Sequence, residues 1–299
     1  MRLVFIGTGE IGVPTLQALL KSRHELAGIV TQPDKPAGRG QKLTPPPIKL
    51  ASPAIAGPIL QPNRIKDPEA IEQLRALAPD VIVVFAYGQI LPRAVLDLPR
   101  IACLNLHASL LPRWRGAAPI QAAIAAGDPT TGMTVIYMNE GLDTGDILLR
   151  HEIEIAPDET GRSLHDRLSR IAPETLAAAL DLLEKGSAPR IPQENGTATL
   201  APKLTRDQGR IDWNEAAAVI ERKIRAYNPW PGAFAKLADR NLKVFAASIV
   251  DLCGKPGEIL RKDSELIVAA GDRAISLREV QPEGKRRMTA MEFLRGHKV

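Results

Sequence analysis

The sequence has little cysteine and no long apolar run. Only Cys103 and Cys253 occur among its 299 residues, too far apart in the chain to indicate a disulfide framework. We expect both to be small core residues in a reducing compartment, without a bound metal. No stretch approaches the ~20 apolar residues of a membrane span, and the apolar run that starts at Met1 is too short for a signal peptide. These absences predict a cytoplasmic protein without a membrane partner.

Internal repeats, low-complexity tracts and the motif of a serine or cysteine nucleophile are missing as well. The hydrophobic content of 44% is enough to form real cores. A chain of this length suggests one large domain or two ordinary ones.

The net charge of +5 lies entirely in the last third of the chain. Residues 1–204 carry 21 Lys/Arg and 21 Asp/Glu, whereas residues 205–299 carry 18 Lys/Arg and 13 Asp/Glu. A basic segment beside a neutral one suggests that the basic part holds a polyanion while the neutral part does the chemistry. Charge alone fits a basic, solvated surface equally well.

The order of apolar runs predicts an α/β domain followed by a small β domain. Strands and helices alternate through the first ~190 residues, which is typical of a mostly parallel sheet covered on both faces. A linker rich in Pro and Gly follows. Five short strands in the next ~65 residues fit an antiparallel barrel of the OB type. We predict an α/β domain at residues 1–188, a linker at 189–206 and a basic barrel at 207–299.

A glycine motif follows the first predicted strand. Gly7, Gly9 and Gly12 stand between this strand and the first helix, and Asp34 follows the second strand. Strand, Gly-x-Gly-x-x-Gly, helix, strand and acid make up the dinucleotide fingerprint, so a nicotinamide oxidoreductase is a competing hypothesis. The alternative is that the glycines merely permit a tight strand-to-helix turn.

Residues 31–53 interrupt the alternation of strands and helices. Between Thr31 and Lys49 the chain has five prolines and two glycines, with four basic residues against one acid. This composition predicts a long exposed loop without a regular element. Such loops often bind partners, although solvated surface is the simpler interpretation.

Asn105 and His107 end a candidate strand. Their spacing of two places both side chains on one face of an extended segment, and Pro112 and Gly116 soon break the chain into a loop. Ligands of open α/β sheets bind outside the carboxyl ends of the strands. An amide donor and an imidazole therefore share a position where a site is expected, although the pair also fits polar residues at a loop edge.

A second candidate strand leads into a glycine-rich loop with three carboxylates, Glu140, Asp143 and Asp146. Any of the three could hydrogen-bond the imidazole of His107. Acyl transfer suits this set, because an amide can donate to a developing oxyanion while an imidazole moves protons and a carboxylate orients it. Without a nucleophile motif in the protein, the nucleophile comes from a substrate.

The chain resembles the folate-dependent formyltransferases in two motifs, Asn105-Leu-His107-Ala-Ser-Leu-Leu-Pro112 and Gly141-Leu-Asp143-Thr-Gly-Asp146. The similarity extends over essentially all 299 residues. It implies a Rossmann-like first domain without a nicotinamide, 10-formyltetrahydrofolate as the formyl donor, no metal, and a monomer without an obligate protein partner. Members that act on initiator methionyl-tRNA are the most similar, which implies this tRNA as the acceptor for translation initiation.

The resemblance also implies roles for individual residues. The implied catalytic residues are Asn105, His107 and Asp143. The residues implied to contact the folate are Ser109, Leu110, Leu111 and Pro112 of one loop, with Phe85, Tyr87, Gly88 and Ile90 of another. The residues implied to contact the tRNA are Lys35, Arg39 and Lys42.

Several alternatives stay open at this point. His107 either carries protons or donates to the oxyanion, and the loop pattern alone does not choose Asp143 over its two acidic neighbours. Sugar-amine and purine-precursor formyltransferases share the motif of the first domain, although the basic loop and the barrel favour a tRNA acceptor. A non-catalytic RNA-binding module would leave Asn105, His107 and Asp143 unexplained.

Overall fold

The computed structural model describes residues 1–38, 40–52, 57–237, 240–261 and 264–296. The chain forms two compact units. The first comprises residues 1–116, 131–153 and 165–200, and the second comprises residues 117–130, 154–164 and the chain from residue 201 onward. The predicted domain boundaries at residues 188 and 207 stay a prediction. Two short segments earlier in the chain, residues 117–130 and 154–164, group with the second unit.

The strands are numbered in chain order. Those that begin in the first unit, with β9 starting one residue before it, are β1 (Arg2–Gly7), β2 (Glu25–Val30), β3 (Lys35–Ala37), β4 (Lys42–Thr44), β5 (Ile59–Leu60), β6 (Val81–Phe85), β7 (Ala102–His107), β8 (Arg115–Gly116), β9 (Thr130–Tyr137), β10 (Ile147–Glu154) and β11 (Leu200–Ala201). The helices before residue 200 are α1 (Val13–Leu20), α2 (Pro47–Leu50), α3 (Pro68–Ala76), α4 (Arg93–Leu96), α5 (Pro119–Ala126) and α6 (Gly161–Glu184).

The first unit is built on a mostly parallel sheet in the order β10-β9-β7-β6-β1-β2-β5. Strand β1 pairs in parallel with both β2 and β6, and β6 pairs in parallel with β7. Strand β9 runs antiparallel to β7. The prediction of an α/β domain with a mostly parallel sheet is therefore confirmed.

The apolar runs of the central strands explain their position in the sheet. Every residue of β6 is buried, as expected for a parallel strand covered on both faces. Val4 and Ile6 pack in one apolar cluster with Leu74 of α3 and Val95 of α4. The carboxyl ends of β1, β6 and β7 meet at one edge of the sheet, so the loops that follow these three strands share that edge.

Residues 31–53 contain regular structure, so the prediction of a loop without it is wrong. Strands β3 and β4 pair antiparallel as a hairpin, and helix α2 follows. Proline is tolerated here because Pro36 lies in a two-stranded hairpin, where both strands are edges, and Pro47 lies in the first helical turn. Lys35 and Lys42 are exposed on the hairpin, and Arg39 lies outside the described residues.

The second unit contains an antiparallel sheet with helices packed on it. Its strands are β12 (Ala233–Leu237), β13 (Arg240–Val250), β14 (Ile259–Arg261), β15 (Leu266–Ala269), β16 (Ala274–Pro282) and β17 (Met288–Thr289), and its later helices are α7 (Ala217–Ala226) and α8 (Ala290–Gly296). The strand order is β12-β13-β16-β15-β14, with β17 on β16. Register shifts at residues 244–247 of β13 bend the strand. The predicted small antiparallel barrel is confirmed as a curled half-barrel.

Helix α7 covers the concave core of this sheet. Its buried residues Ala217, Ile220 and Ile224 recur at helical spacing and join the cluster that contains Val244 and Val280. Completely burying a side chain such as Ile220 stabilises the fold by about 1.5–3 kcal/mol. This core is formed by residues of the second unit alone.

The two cysteines differ in their surroundings. Cys103 is buried in β7, and this burial raises the pKa of its thiol to about 12. Cys253 is exposed, so the prediction that it is a core residue is wrong; it follows the end of β13 at Val250, where the chain has already left the sheet. None of the helices in the described ranges combines the length and apolar character needed to cross a membrane.

Candidate active site

Strand β7 carries Asn105 and His107 to the carboxyl edge of the sheet. Asn105 pairs in register with Val84 of β6 and Ile136 of β9, and His107 pairs with Thr134. The spacing of two places both side chains on the same face of the strand. His107 is 5% exposed, whereas Asn105 is half-buried.

Asp143 lies against both of these side chains. Its Oδ1 accepts a hydrogen bond from Asn105 Nδ2 at 3.3 Å, and its Oδ2 lies 3.5 Å from His107 Nδ1. The backbone N–H of Gly116 donates to Oδ2 at 2.8 Å. The carboxylate therefore joins strand β7 to the loop that leaves it.

A backbone carbonyl defines the tautomer of His107. Nε2 of His107 lies 2.8 Å from the carbonyl oxygen of Trp114. A carbonyl only accepts hydrogen bonds, so Nε2 carries a hydrogen in this contact. In the neutral imidazole, Nδ1 is then the unprotonated nitrogen, and it faces the carboxylate of Asp143. Nδ1 is thus the position where a proton can be taken up.

The backbone around Asp143 is held in an unusual conformation. Asp143 has a φ of 52°, in the left-handed region that non-glycine residues rarely adopt. Two residues later, a Cβ on Gly145 would lie 1.6 Å from the carbonyl oxygen of Tyr137. The side-chain amide of Gln193 donates to the carbonyls of Asp143 and Gly145, each at 2.8 Å.

The structure distinguishes among the three acids of this loop. In the described part of the chain, neither Glu140 nor Asp146 forms a hydrogen bond or ion pair with Asn105 or His107. The pKa of Arg93, raised mainly by its hydrogen bond to Asp97, is raised slightly further by Glu140. Glu140 therefore acts electrostatically on Arg93, the first residue of α4. Only Asp143 meets the strand that carries the amide and the imidazole.

The loop 109–112 contacts the same edge of the sheet. The hydroxyl of Ser109 donates to the backbone carbonyl of Arg113 at 2.7 Å. The backbone carbonyl of Ser109 accepts a hydrogen bond from the hydroxyl of Thr134 at 2.6 Å. Leu111 is buried in a small apolar cluster, whereas Leu110 and Pro112 are half-buried. Only these last two side chains are open to a ligand.

The loop after β6 presents its backbone and one apolar side chain. Phe85 and Tyr87 are buried, and burial raises the pKa of the Tyr87 phenol to about 12. A Cβ on Gly88 would meet nothing within 4 Å, and Ile90 is 84% exposed. Any contact of Phe85 or Tyr87 with a ligand therefore involves the backbone.

The glycine motif after β1 does not offer its amides to a phosphate. The N–H groups of Thr8 and Gly9 both donate to the carbonyl of Ala86, at 3.2 and 3.3 Å. A Cβ on Gly7 would lie 2.7 Å from a ring carbon of Phe5 and 2.8 Å from the carbonyl oxygen of Phe85. These contacts favour the interpretation that the glycines permit a tight turn.

Replacing Gly7 by alanine tests that interpretation. Because a carbonyl oxygen cannot move as a side chain can, we expect Gly7→Ala to destabilise the protein by about 1–3 kcal/mol, as overpacking does. Denaturant unfolding would measure this change. Gly196→Ala, whose Cβ would meet nothing within 4 Å, is the matched control, and equal stability of both variants would contradict the packing role.

The acid of the fingerprint is also engaged within the protein. Asp34 accepts hydrogen bonds from Lys49 at 2.9 Å and from Gln61 at 2.8 Å. The Gln61 hydrogen bond, followed by that of Lys49, lowers the pKa of the Asp34 carboxyl. Lys49 is thus paired at the base of the hairpin, whereas Lys35 and Lys42 form no ion pair with any residue that the structure describes.

Sequence reasoning missed three parts of this site. They are the carbonyl of Trp114, the N–H of Gly116 and the side chain of Gln193. The first two are main-chain groups, which any residue type supplies. Gln193 lies in the segment predicted to be a linker, 50 residues after Asp143 in the chain.

Comparison with known proteins places the site in a family. The sequence matches the formyl transferase family model over residues 1–180 and the formyl transferase C-terminal domain over residues 203–298. A methionyl-tRNA formyltransferase of Geobacter sulfurreducens is 44% identical over 300 residues, covering 100% of this chain and 95% of that relative.

Solved structures share the fold. A methionyl-tRNA formyltransferase from Clostridium thermocellum has a TM-score of 0.60 at 20% identity, covering 94% of this chain and 98% of that one. HypX from Aquifex aeolicus in complex with tetrahydrofolic acid has a TM-score of 0.65 at 19% identity, covering 98% of this chain and 47% of that one. Since one family model covers more than half of the sequence and a full-length relative is 44% identical, the chain belongs to the formyl transferase family.

Proposed function

We propose that the protein transfers the formyl group of 10-formyltetrahydrofolate to the α-amino group of L-methionyl-tRNA(fMet). The product is N-formylmethionyl-tRNA for translation initiation. The full-length similarity to methionyl-tRNA formyltransferases supports this acceptor. The observation that carries the proposal is the contact of Asp143 with Asn105 and His107 at the sheet edge.

The chain's own residues account for the chemistry. Free α-amino groups have a pKa near ~8, so a sizeable neutral fraction of the acceptor is present at working pH. When bound, the folate supplies the formyl carbon that the amine attacks. Asn105 donates to the formyl oxygen as negative charge develops there. No protein nucleophile is needed, which agrees with the raised thiol pKa of nearby Cys103.

Proton transfer falls to Nδ1 of His107. The attacking amine loses a proton, and the leaving nitrogen of the donor needs one. Nε2 is held as a donor by Trp114, so Nδ1 is the nitrogen that accepts the proton and returns it. The imidazolium that forms faces the carboxylate of Asp143 at 3.5 Å, which stabilises the positive charge.

The residues at the sheet edge fit a folate. A folate combines a pterin rich in hydrogen-bonding groups with an aminobenzoyl ring, so its site needs free backbone groups as well as exposed apolar side chains. Ile90 is 84% exposed and Leu142 is 60% exposed, on the loops that follow β6 and β9. Leu110 and Pro112 add half-buried apolar surface. We place the folate contacts on these residues and on the backbone of residues 85–90 and Ser109.

The tRNA contacts are proposed for the basic parts of the chain. Lys35 and Lys42 are exposed on the hairpin, and the net charge of +5 lies in residues 205–299. Such charges bind phosphates without reading sequence. We further propose that the protein works in the cytoplasm, because translation initiation, which uses the product, takes place there. We also propose a monomer, as the resemblance to the formyltransferases implies.

A comparison of three acceptors tests the proposal directly. The pure protein is incubated with 10-formyltetrahydrofolate and methionyl-tRNA, free methionine or an amino sugar. We expect N-formylmethionyl-tRNA in the first reaction and little product in the others. Preferred formylation of the amino sugar would overturn the acceptor, and binding of NADH without formyl transfer would favour the oxidoreductase.

Arg39 tests the role of the hairpin. A charge-assisted hydrogen bond contributes ~1.5–3 kcal/mol, so we expect Arg39→Ala to lower kcat/KM for methionyl-tRNA by about 10-fold or more. The loss should shrink as salt rises, because a variant with one phosphate contact fewer depends less steeply on salt. Arg39→Lys should restore activity only partly if the contact is bidentate.

The controls separate binding from folding. Arg39→Ala should leave the melting temperature and the folate affinity unchanged, and Arg75→Ala on the exposed face of α3 should leave catalytic efficiency unchanged as well. An unaltered kcat/KM for Arg39→Ala would make the hairpin ordinary surface, and early melting would make Arg39 a packing residue.

A further inference from the structure

A hydrogen-bonded network links the segment 190–197 to the loop that carries Asp143. Gln193 donates through Nε2 to the carbonyls of Asp143 and Gly145, at 2.8 Å each. Its Oε1 accepts from Nε and Nη2 of Arg115, at 3.1 and 2.8 Å. Asn195 Oδ1 accepts two further hydrogen bonds from Arg115, both at 3.0 Å.

The partners of Gln193 allow only one orientation of its amide. Two carbonyl oxygens lie on one side and guanidinium N–H groups lie on the other. A rotated amide would set donors against donors and acceptors against acceptors. Arg115 therefore dictates that Nε2 of Gln193 points at the loop of Asp143.

Arg115 gains this role from an unusual environment. It is 7% exposed, and no carboxylate within the described ranges forms an ion pair with it. Its hydrogen-bonding side-chain partners are the amide oxygens of Gln193 and Asn195. A buried cation needs such partners, so the guanidinium holds both amides firmly.

Gln193 contacts the loop where the backbone conformation is least favourable. Asp143 has a φ of 52°, which costs free energy for a non-glycine residue. This conformation directs its carboxylate at Asn105, Gly116 and His107. The two hydrogen bonds from Gln193 satisfy the carbonyls on either side of Thr144 and so keep the loop in place.

We propose that Gln193 is a positioning residue that acts through Asp143, with Arg115 setting its orientation. This inference rests on the proposed formyl transfer. Gln193 touches no reacting atom, and the loss of its amide displaces the carboxylate. A misplacement of about 1 Å in a catalytic group can cost ~10²-fold in rate.

Two substitutions separate positioning from stability. Gln193→Glu keeps an acceptor for Arg115 but removes both donations to the loop, so we expect the melting temperature to hold and kcat to fall about 10–100-fold. Gln193→Met, which adds no charge, should lower kcat similarly. Both should bind tetrahydrofolate as the wild type does. Gln73→Glu on exposed α3 controls for the added charge.

The decisive comparison uses Asp143→Asn as the background. If Gln193 acts through Asp143, Gln193→Glu should cost little further activity there. A full additional loss in that background, or normal kcat in both Gln193 variants, would overturn the inference. Failure of the proposed function looks different, because the wild-type protein would then form no N-formylmethionyl-tRNA.

Discussion

Replacing Asn105 by alanine should lower kcat for formyl transfer by about 10²–10³-fold, the loss typical of one oxyanion donor. Asn105 Nδ2 gives one hydrogen bond to Asp143 Oδ1 at 3.3 Å. Its other N–H has no protein partner among the residues that the structure describes. That hydrogen is the one available to the formyl oxygen.

The loss should appear in kcat rather than in binding. An oxyanion donor strengthens its hydrogen bond as charge develops in the transition state, so its removal affects the ground-state complex little. We therefore expect the dissociation constant for tetrahydrofolate to stay near that of the wild type. Single-turnover formylation of methionyl-tRNA measures the chemical step directly.

A matched variant shows whether the effect belongs to the site. Gln73→Ala removes an amide from the exposed face of α3 and should leave turnover unchanged. Normal turnover in Asn105→Ala would remove this residue from the mechanism. A low melting temperature in Asn105→Ala would instead assign the residue to the packing of β7.

The parts of the fold that the sequence predicted are those that local pattern determines. The β-branched run at 81–85 became a buried parallel strand, because such runs bury well on both faces. The spacing of two between Asn105 and His107 predicted a shared face, and both side chains meet Asp143.

The parts that the sequence did not predict depend on contacts between distant segments. Residues 117–130 group with the second unit, and no local pattern announces this, since α5 has an ordinary helical sequence. The prolines at 36 and 47 suggested a structureless loop, because each looks like a breaker until its edge strand or first helical turn is known.

The orientation of His107 shows the same limitation more sharply. The three carboxylates of residues 139–146 suggested that an acid hydrogen-bonds and orients its imidazole. In the structure, the carbonyl of Trp114 accepts a hydrogen bond from Nε2 of His107 at 2.8 Å, and Asp143 lies beside Nδ1. A main-chain acceptor has no signature in the sequence, so this arrangement could only be found in the fold.

His107 and Asp143 should therefore behave as one unit when they are mutated together. Loss of a general acid–base typically costs 10²–10⁴-fold in rate, and we expect His107→Ala to fall in this range. Asp143→Asn removes the charge that faces Nδ1 while keeping an oxygen for the Gly116 N–H. It should cost less than His107→Ala, because the imidazole keeps its tautomer through Trp114.

The double mutant decides whether the carboxylate acts through the imidazole. Once His107 is gone, Asp143 has no imidazolium to stabilise, so the double mutant should be about as slow as His107→Ala alone. The measurement is kcat/KM for methionyl-tRNA in the wild type, both single mutants and the double mutant. Glu140→Gln neutralises an acid that has no hydrogen bond or ion pair to His107 within the described residues, so it should combine multiplicatively with His107→Ala if it has any effect. Fully multiplicative losses for His107 and Asp143 would mean that the two residues act independently, with Asp143 serving Asn105 through its other oxygen.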